Sequence, residues 1–338
     1  MSKNTLITGC CGYIGSHTCV ELLEKGYNVV GIDNFSNSKK EVLDKIEMLS
    51  KKKVKFYEGD VLDYSFLKRI FYENRIDAVI DFAAYKSVGD SVKKPIDYYI
   101  NNVSSLLNVV KTMQEFDVRA LIFSSTAAVY GDSKAMPLKE TDEIGNTTNP
   151  YATSKLFCEK ILRDLFSANK SWNIIIFRYF NPVGAHESGI LKEEPNGMPS
   201  NLMPCILNVA EGVADSITVY GDTYNTKDGT GVRDYIHVVD LARAHIKGIE
   251  RLLHRENGFD VYNLGTGTGY SVLEMIQTFE KINGIKIKYE IGDKRAGDID
   301  LCYASALKAE KELDWKAEKG LKDMCKDAYN SIKKNIGK

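Results

Sequence analysis

A tyrosine and a lysine four residues apart, in the stretch PYATSK, have the side chains of this chain best suited to move a proton. Tyr151 and Lys155 fall at the start of a predicted helix, where residues at this spacing project from one face. The pKa of a tyrosine phenol, about 10, is too high for a base at neutral pH, but a lysine ammonium beside it lowers that pKa. Thr126 ends the predicted strand LIFSST and offers a hydroxyl that can bond to the reacting group or relay its proton. These three are the predicted catalytic residues, although the same spacing also occurs in ordinary pairs on helix surfaces.

Three glycines in the stretch TGCCGYIGSH lie between a predicted strand and a predicted helix. Gly9, Gly12 and Gly15 permit a tight turn and a close approach of the backbone to a pyrophosphate, for which the helix N-terminus supplies N–H donors. Asp33 ends the second predicted strand, about 20 residues further on, where a carboxylate accepts hydrogen bonds from the adenosine ribose and repels a 2′-phosphate. The pattern predicts an NAD site rather than an NADP site, and the alternative is an ordinary strand-to-helix turn.

Two adjacent cysteines, Cys10 and Cys11, occupy the variable positions of that turn. The seven cysteines of the chain show no C-x-x-C spacing and its five histidines no H-x-H or H-E-x-x-H pair, so we expect neither a disulfide framework nor a metal site. We interpret the pair as bystanders in a loop whose backbone binds phosphate. A thiol at a helix N-terminus can have a lowered pKa, so thiol reagents are expected to block cofactor binding.

The composition is ordinary for a water-soluble enzyme, with 43% hydrophobic and 27% charged residues and a net charge of −1. This balance gives no electrostatic reason to expect nucleic acid or an anionic membrane as a partner. No apolar stretch approaches the roughly 20 residues that cross a bilayer. The chain enters an apparent strand within a few residues of Met1, without room for a signal peptide. We therefore expect a cytoplasmic protein, which also suits unpaired cysteines.

Short apolar stretches alternate with amphipathic stretches of helical length through the first half of the chain. Predicted strands lie at residues 4–9, 28–33, 54–60, 77–84, 119–125 and 173–180, and predicted helices near 13–25, 38–50, 63–74, 96–116 and 151–168. Nearly all-apolar strands in this alternation predict an α/β fold with a doubly wound, Rossmann-type parallel sheet. Such sheets bind their ligands at the carboxyl ends of the strands, where the glycine turn, Asp33 and Thr126 fall.

From about residue 181 the pattern loosens, with glycine and proline frequent between 182 and 199 and a loop-like stretch at 221–234. We expect the apolar stretches 238–253 and 261–265 to return to the first unit. The prediction is an NAD-binding domain over residues 1–180, with returns near 235–265, and an interleaved smaller α/β substrate domain over 181–338 that closes over the ligand.

The G-x-x-G-x-x-G spacing resembles extended members of the short-chain dehydrogenase/reductase superfamily. Similarity to the UDP-glucose 4-epimerase family extends over nearly the whole chain, in GYIGSH, SVGDSVKKPIDYYINN, FSSTAAVYG, NPYATSK, RYFNPVGAH, NLMP and DGTGVRDYIHVVDL. The resemblance implies an NAD-dependent isomerase of galactose metabolism that interconverts UDP-glucose and UDP-galactose. Tyr151 would take the proton of the sugar 4-hydroxyl while hydride passes from C4 to NAD, and hydride would return to the opposite face after the 4-keto sugar turns over. Thr126 departs from the superfamily, which more often has serine there.

The resemblance also implies two sets of binding residues. Those of the cofactor are Gly9, Gly12, Tyr13, Ile14, Gly15, Asp33, Asn34, Asn37, Ser38, Asp60, Val61, Phe82, Ala83, Lys86, Asn101, Ser124, Tyr151, Lys155 and Tyr179. Those of the UDP-hexose substrate are Lys86, Thr126, Tyr151, Phe180, Asn181, Asn201, Leu202, Tyr220, Arg233, Arg295, Asp298 and Cys302. Arg233 and Arg295 suit the diphosphate because a guanidinium presents forked donors. Cys302 is small, which implies that UDP-N-acetylglucosamine and UDP-N-acetylgalactosamine are also accepted.

Other functions on the same fold remain as alternatives. A nucleotide-sugar 4,6-dehydratase needs an acid and a base straight after the strand-end threonine, where this chain has Ala127 and Ala128. A UDP-glucuronate 4-epimerase is harder to exclude, although the motifs of the second half suit a neutral hexose better. A non-catalytic NAD-binding sensor is expected to lack Tyr151 or Lys155, and both are present.

Two predicted helices carry apolar residues on more than one side. The first has Ile96, Tyr99, Ile100, Val103, Leu106, Leu107, Val110 and Met113, and the second has Phe157, Ile161, Leu162, Leu165 and Phe166. One face can cover the sheet and the other can meet a partner subunit. Together with the resemblance, these helices predict a two-fold homodimer.

Overall fold

The structure is a computed structural model, and it describes residues 3–133, 135–194, 197, 199, 201–295 and 298–333. The strands are β1 (Asn4–Thr8), β2 (Asn28–Asp33), β3 (Lys55–Glu58), β4 (Ala78–Asp81), β5 (Ala120–Thr126), β6 (Asn173–Tyr179), β7 (Asn181–Val183), β8 (Ile217–Tyr220), β9 (Val232–His237), β10 (Gly258–Leu264), β11 (Gly269–Ser271), β12 (Tyr289–Gly292) and β13 (Leu301–Cys302). Part of the stretch 182–199, rich in glycine and proline, lies outside the described residues.

The helices follow the predicted positions through the first half of the chain. They are α1 (Tyr13–Glu24), α2 (Val42–Ser50), α3 (Tyr64–Glu73), α4 (Val88–Lys93), α5 (Pro95–Tyr99), α6 (Ser105–Glu115), α7 (Pro150–Ala168), α8 (Leu202–Ala210), α9 (Val238–His254), α10 (Val272–Asn283), α11 (Leu307–Leu313) and α12 (Leu321–Asn330). A π-helical turn covers Ile100–Ser104 and a 3-10 turn covers Ala127–Tyr130. Among the described residues, none of these helices has the length and apolar character to span a bilayer.

Within the described part of the chain, seven parallel strands form the central sheet, in the order β10, β6, β5, β4, β1, β2, β3. The chain runs outward from β1 to β3 and then crosses back to place β4 on the other side of β1. The predicted doubly wound α/β fold is confirmed. The crossing point between β1 and β4 is the position where such sheets open a crevice for ligands.

Alternate residues of each central strand enter two apolar cores on opposite faces of the sheet. Ile7 of β1 and Phe177 of β6 belong to the core formed with α1, α2, α9 and α11. Leu6 and Ile176, from the same two strands, belong to the core formed with α3, α6 and α7. Because both faces are covered, the strands read as continuous apolar stretches rather than as alternating ones.

The second half of the chain contributes to the central sheet as well as to a smaller unit. Strand β10 pairs with β6 over its whole length, and α9 covers one face of the sheet. A separate core joins α8, α10 and α12 to β7, β8 and β9, and includes Ile206, Phe279 and Met324. We retain, as a proposal, the division into a cofactor-binding unit and an interleaved substrate-binding unit.

The predicted helix 96–116 is interrupted in the structure, because the π-helical turn separates α5 from α6. The extra residue of that turn lets the buried Asn102 side chain reach neighbouring segments. Its Oδ1 accepts a bond from the Tyr85 backbone at 2.8 Å, and its Nδ2 donates to Ser154 Oγ at 2.9 Å. The interruption therefore ties the loop after β4 to helix α7, at the edge of the crevice.

Candidate active site

A cleft of about 650 Å³ opens at the carboxyl ends of the central strands and is lined by residues from both halves of the chain. All but two of the residues predicted for catalysis, cofactor or substrate line this cleft. The exceptions are Leu202, half-buried at the start of α8, and Tyr220, an exposed residue at the end of β8. The fold thus gathers side chains that lie up to about 290 residues apart in sequence.

In the glycine turn between β1 and α1, a side chain would strain the backbone at Gly9 and clash with it at Gly15. Gly9 has a φ of +65°, a left-handed conformation that favours glycine. A Cβ built on Gly15 would lie 2.2 Å from the carbonyl oxygen of Gly9, so α1 can pack this close to β1 only with glycine there. Gly12 is the N-cap of α1, and the first helical turn lines the cleft. The turn fits a dinucleotide pyrophosphate, which needs backbone N–H donors and the positive end of a helix.

Asp33 is held in one orientation by three hydrogen bonds at the carboxyl end of β2. Its Oδ2 accepts from the Cys11 N–H at 2.9 Å, and its Oδ1 accepts from the Phe35 N–H at 2.9 Å and the Ser38 hydroxyl at 2.7 Å. Each carboxylate oxygen has two lone pairs, so these bonds leave acceptor capacity toward the cleft. This geometry fits the ribose of a dinucleotide and disfavours a 2′-phosphate.

Tyr151 lies in the first turn of α7, where the Asn149 side chain caps the helix by accepting from the Ala152 N–H at 2.9 Å. Burial of the hydroxyl raises the pKa of Tyr151 to about 12, and a hydrogen bond with Thr126 acts in the opposite direction. Thr126 ends β5, the strand beside which α7 begins. The phenol is therefore protonated at neutral pH in this structure, and it needs a further positive charge nearby to act as a base.

Lys155 is buried, and its ammonium is held on the backbone of β5. Nζ donates to the Ser124 carbonyl at 2.7 Å and lies 3.4 Å from the Ser124 hydroxyl. Burial lowers the pKa of this lysine, while the nearby Asp81 carboxylate acts in the opposite direction. The sequence predicts that Lys155 lowers the pKa of Tyr151, whereas in the structure burial of the phenol dominates that pKa. Lys155 has donors left for the hydroxyls of a bound ribose.

Tyr179 reaches the edge of the cleft from β6 and is held from behind by His245 of α9. The Tyr179 hydroxyl lies 2.7 Å from His245 Nε2, and His245 Nδ1 lies 2.8 Å from the Leu241 carbonyl. Because a carbonyl only accepts, Nδ1 carries the hydrogen and Nε2 accepts from the tyrosine. Burial lowers the pKa of His245 to about 4, so the imidazole is neutral at neutral pH.

Two arginines from the second half of the chain line the cleft. Arg233, on β9, forms an ion pair with Asp298 and donates to the Val232 carbonyl at 2.8 Å. The Arg295 guanidinium lies 3.9 Å from the centre of the Tyr220 ring, a cation–π contact. Through this contact Tyr220, a predicted substrate residue that does not line the cleft, touches a residue that does. The pair offers forked donors to a diphosphate.

The sequence analysis missed residues 192–194, which we call the strap. All three line the cleft, and two of them form ion pairs with the first half of the chain. Lys86 Nζ lies 2.6 Å from Glu193 Oε1, and Lys45 Nζ lies 2.7 Å from Glu194 Oε2. Asn201 Nδ2 also donates to Glu193 Oε1, at 3.3 Å. No local motif marks the strap, since its ion-pair partners lie about 100 residues or more away in sequence.

A buried ion pair behind the cleft joins β6 to α7. Arg178 donates through Nε to Glu159 Oε1 at 3.1 Å and through Nη2 to Oε2 at 2.7 Å. Ser125 donates to the same carboxylate at 2.5 Å, and Arg178 Nη1 donates to the Tyr130 hydroxyl at 2.8 Å. Glu159 lies one helical turn after Lys155, so this network fixes the face of α7 that carries the predicted catalytic residues.

Comparison with known proteins decides the family of the chain. It matches the family described as GDP-mannose 4,6 dehydratase over residues 6–328. The UDP-glucose 4-epimerase of Haemophilus influenzae is 52% identical over 330 residues, which cover 98% of this chain and 97% of that protein. The UDP-glucose 4-epimerase of Homo sapiens is 48% identical over 341 residues, 99% of this chain and 98% of that protein. The chain belongs to the UDP-glucose 4-epimerase family.

Solved structures of UDP-glucose 4-epimerases share the whole fold. That of Bifidobacterium longum, in complex with NAD+ and UDP, is 53% identical, has a TM-score of 0.96 and covers 98% of this chain and 99% of its own. The UDP-Glc/GlcNAc 4-epimerase of Campylobacter jejuni is 34% identical with a TM-score of 0.85, over 98% of this chain and all of that one. The resemblance to the epimerase family that the sequence motifs indicate is confirmed.

Proposed function

We propose that this protein interconverts UDP-glucose and UDP-galactose with NAD as a resident cofactor. The observation that carries the proposal is the meeting, in one cleft, of Tyr151, Thr126 and Lys155 with the glycine turn, Asp33 and two arginines. Tyr151, Thr126 and Lys155 suit the chemistry of a sugar hydroxyl. The glycine turn and Asp33 suit a dinucleotide, and the two arginines suit a diphosphate. A solved relative at 53% identity, the UDP-glucose 4-epimerase of Bifidobacterium longum in complex with NAD+ and UDP, supports the same assignment.

Each part of the cleft has a distinct task in this reaction. NAD held between the glycine turn and Asp33 would supply a hydride acceptor, and later a hydride donor, for C4 of the sugar. Tyr151 accepts the proton of the 4-hydroxyl and later returns it, while Thr126 orients that hydroxyl. Lys155 donates to ribose hydroxyls. Arg233 and Arg295 hold the diphosphate, so the sugar can turn over between the two hydride transfers while the nucleotide stays bound.

A dehydratase reaction is not supported, although the matching family carries that description. Elimination of water needs an acid and a base beside the strand-end threonine. Ala127 and Ala128 occupy those places, and both line the cleft. Neither can move a proton. A UDP-glucuronate 4-epimerase, the other alternative, is not favoured, because relatives at about 50% identity over the whole chain are UDP-glucose 4-epimerases.

Purified protein with no added NAD should convert UDP-galactose to UDP-glucose, because the cofactor is regenerated in each turnover. Tyr151→Phe keeps the ring and removes the proton acceptor, so we expect turnover to fall by at least about 100-fold. Tyr72→Phe, at an exposed position on α3, is the matched control and should keep full activity. Turnover of UDP-glucuronate in place of UDP-galactose would favour the alternative, and a fully active Tyr151→Phe would overturn the assignment of the base.

We also propose that the N-acetylated UDP-hexoses are accepted. Cys302 lies on β13 beside Arg233 of β9 and lines the cleft, where its small side chain leaves room for an acetamido group. Cys302→Tyr should fill that room and abolish turnover of UDP-N-acetylgalactosamine, while UDP-galactose is still converted. The wild-type protein failing to convert the N-acetylated sugar would contradict the proposal.

We propose a two-fold homodimer through α5, α6 and α7. Apolar side chains are exposed on these helices, among them Ile96 at 65% and Phe157 at 44%, and the rings of Tyr99 and Phe157 stack at 5.9 Å. Ile96→Asp places a charge in the covered face and should yield a monomer in light scattering. Val213→Asp, at an exposed apolar position outside these three helices, controls for the added charge. A monomeric wild-type protein at micromolar concentration would count against this interface.

A cytosolic location is our further proposal. All seven cysteines are free thiols within the described residues, and a reducing compartment preserves them. Fractionation of cells should find the protein with cytosolic markers, and recovery from an oxidising compartment would contradict the proposal.

A further inference from the structure

Three metal-binding atoms meet where the glycine turn passes the end of β2. They are Cys10 Sγ, Cys11 Sγ and a carboxylate oxygen of Asp33, and all lie within 4.8 Å of one another. From the sequence no metal site is expected at the cysteine pair, because the chain shows no C-x-x-C spacing and no histidine pair. The third ligand comes instead from the neighbouring strand, since β1 and β2 pair in register with Thr8 opposite Ile32. The Cys11 N–H donates to Asp33 Oδ2 at 2.9 Å and fixes the carboxylate beside the thiols.

The spacing of the two sulfur atoms suits a tetrahedral thiolate site as well as an S–H···S contact between the thiols. Two thiolates bound to zinc at about 2.3 Å, at a tetrahedral angle, are about 3.8 Å apart. Cys10 Sγ and Cys11 Sγ are 3.8 Å apart. Cysteine thiolate and carboxylate are both ligands that zinc accepts, and three protein ligands leave a fourth position for water. Cys11 and Asp33 line the cleft, from which a cation can reach the site, whereas Cys10 is fully buried behind them.

Other cysteines of the chain have different surroundings. The Cys158 thiol donates to the Asn102 carbonyl at 3.4 Å, and Cys325 Sγ lies 3.7 Å from Met275 Sδ in the core of the smaller unit. Cys19 is close to the pair, but its thiol points to the Cys10 carbonyl at 3.8 Å and does not belong to the three-ligand group. Cys19 therefore offers a control in the same part of the core.

We propose that Cys10, Cys11 and Asp33 form a binding site for a soft divalent cation of the zinc and cadmium class, and that a cation there and a dinucleotide on Asp33 exclude each other. The exclusion rests on the proposed NAD function. Binding replaces two S–H bonds by two sulfur–metal bonds and releases two protons to solvent, without any change of oxidation state. The occupied site, with two thiolates, one carboxylate and one divalent cation, carries a net charge of −1.

The exclusion has two physical causes. The cation takes a lone pair of Asp33 that the adenosine ribose would otherwise use. The net negative charge also lies at the turn that has to receive the pyrophosphate, where it repels the phosphates. The protein with bound cofactor is then protected from soft cations, whereas the protein without cofactor is exposed to them and is blocked from taking up NAD.

Cadmium chloride added to the full-length protein after cofactor removal tests the site directly. We expect the ultraviolet thiolate-to-cadmium absorption band to saturate at one cation per chain. Cys10→Ser and Cys11→Ser should each lose the band, and Cys19→Ser should keep it. X-ray absorption of cadmium bound to the wild-type protein should count two sulfur neighbours, which keeps the test independent of whether the serine variants fold. A band that never forms, that survives in both serine variants or that reports a different sulfur count overturns the site.

The second half of the proposal is tested by competition, with NAD binding measured separately by calorimetry in the absence of cadmium. Saturating NAD should prevent the band, and the protein purified with its cofactor should not form it. A band that forms equally with NAD bound overturns the exclusion. A protein that does not bind NAD even without cadmium would overturn the proposed function instead, while the cation site would still stand on the band and its variants.

Discussion

We predict that two hydroxyl groups, on Tyr151 and Thr126, set the proton chemistry of the cleft. The pKa of Tyr151 is raised to about 12 by burial, and the hydrogen bond with Thr126 lowers it. A base has to lose its proton before it can accept another, so activity rises as the pH rises through the pKa that this tyrosine has in the working enzyme. Any group that stabilises the phenolate therefore moves the rising limb of the pH profile to lower pH.

Thr126→Val removes that hydroxyl and keeps a β-branched side chain. A hydrogen bond to a charged group contributes about 1.5 kcal/mol, so the pKa of Tyr151 should rise by about one unit. The rising limb of kcat/KM against pH should shift to higher pH by the same amount. Thr126→Ser retains the hydroxyl and should leave the limb in place. Identical profiles for the three proteins would show that Thr126 does not stabilise the phenolate.

Gly15→Ala tests the glycine turn. The added Cβ would lie 2.2 Å from a backbone oxygen, so the turn has to move rather than a side chain. Overpacking of this kind costs about 1–3 kcal/mol, and we expect NAD affinity, measured by calorimetry, to fall by about 10-fold or more. Gly89→Ala is the matched control, since a Cβ at Gly89 on α4 meets nothing within 4 Å. Unchanged NAD affinity in Gly15→Ala would contradict the assignment of the turn.

At the scale of elements, the position of α7 relative to β5 and β6 decides whether the proton-handling residues meet. The Arg178–Glu159 pair fixes that position and is almost fully buried, with both side chains at most 3% exposed. Such a pair adds little stability compared with an apolar one, but the loss of one partner leaves an unpaired buried charge. The pair therefore acts mainly as a constraint on geometry.

Glu159→Gln keeps the size of the side chain and leaves the Arg178 guanidinium without a counter-charge. We expect the free energy of unfolding, measured with urea, to fall by about 3–5 kcal/mol. Glu58→Gln breaks the exposed pair with Lys40, whose atoms are 3.0 Å apart, and should cost less than about 1 kcal/mol. Equal losses in the two variants would mean that Arg178 finds another partner or reaches solvent.

At the scale of the whole molecule, the sequence predicts well those features that local sequence patterns encode. Apolar alternation located the first six strands, and the glycine turn and the Tyr151–Lys155 spacing located most of the cleft. Sequence patterns did not predict the contacts between segments that are distant in the chain. Glu193 pairs with Lys86, and Asp33 lies beside Cys10 and Cys11, only because strands and loops that are remote in sequence are neighbours in the fold. The interruption at Ile100–Ser104 escaped for the same reason, since Asn102 bonds to segments on two sides.

Buried histidines make the stability of the whole molecule depend on pH. Burial lowers the pKa of His17 to about 3 and that of His245 to about 4, both below the unfolded value of about 6.5. Their contribution to stability is therefore complete above pH 6.5 and is lost as the pH falls toward the folded pKa values, by about 1.4 kcal/mol per pH unit for each histidine.

His245→Gln removes one of these titrations and keeps hydrogen-bonding capacity toward Tyr179. We expect the difference in unfolding free energy between pH 7 and pH 5 to be smaller in this variant than in the wild type. The exposed His254→Gln is the control and should lose stability like the wild type. A pH dependence in His245→Gln that matches the wild type would contradict a neutral, buried His245.

During synthesis of the chain, completion of the central sheet has to wait for strand β10. Its partner β6 ends at Tyr179, whereas β10 ends only at Leu264, so the sheet edge stays open while about 80 further residues are made. At about 5–20 residues per second this wait lasts roughly 4–16 s, a long time for an apolar strand edge to stay exposed. The smaller unit cannot shorten this wait, because its core includes α10 and α12, which are made after β10.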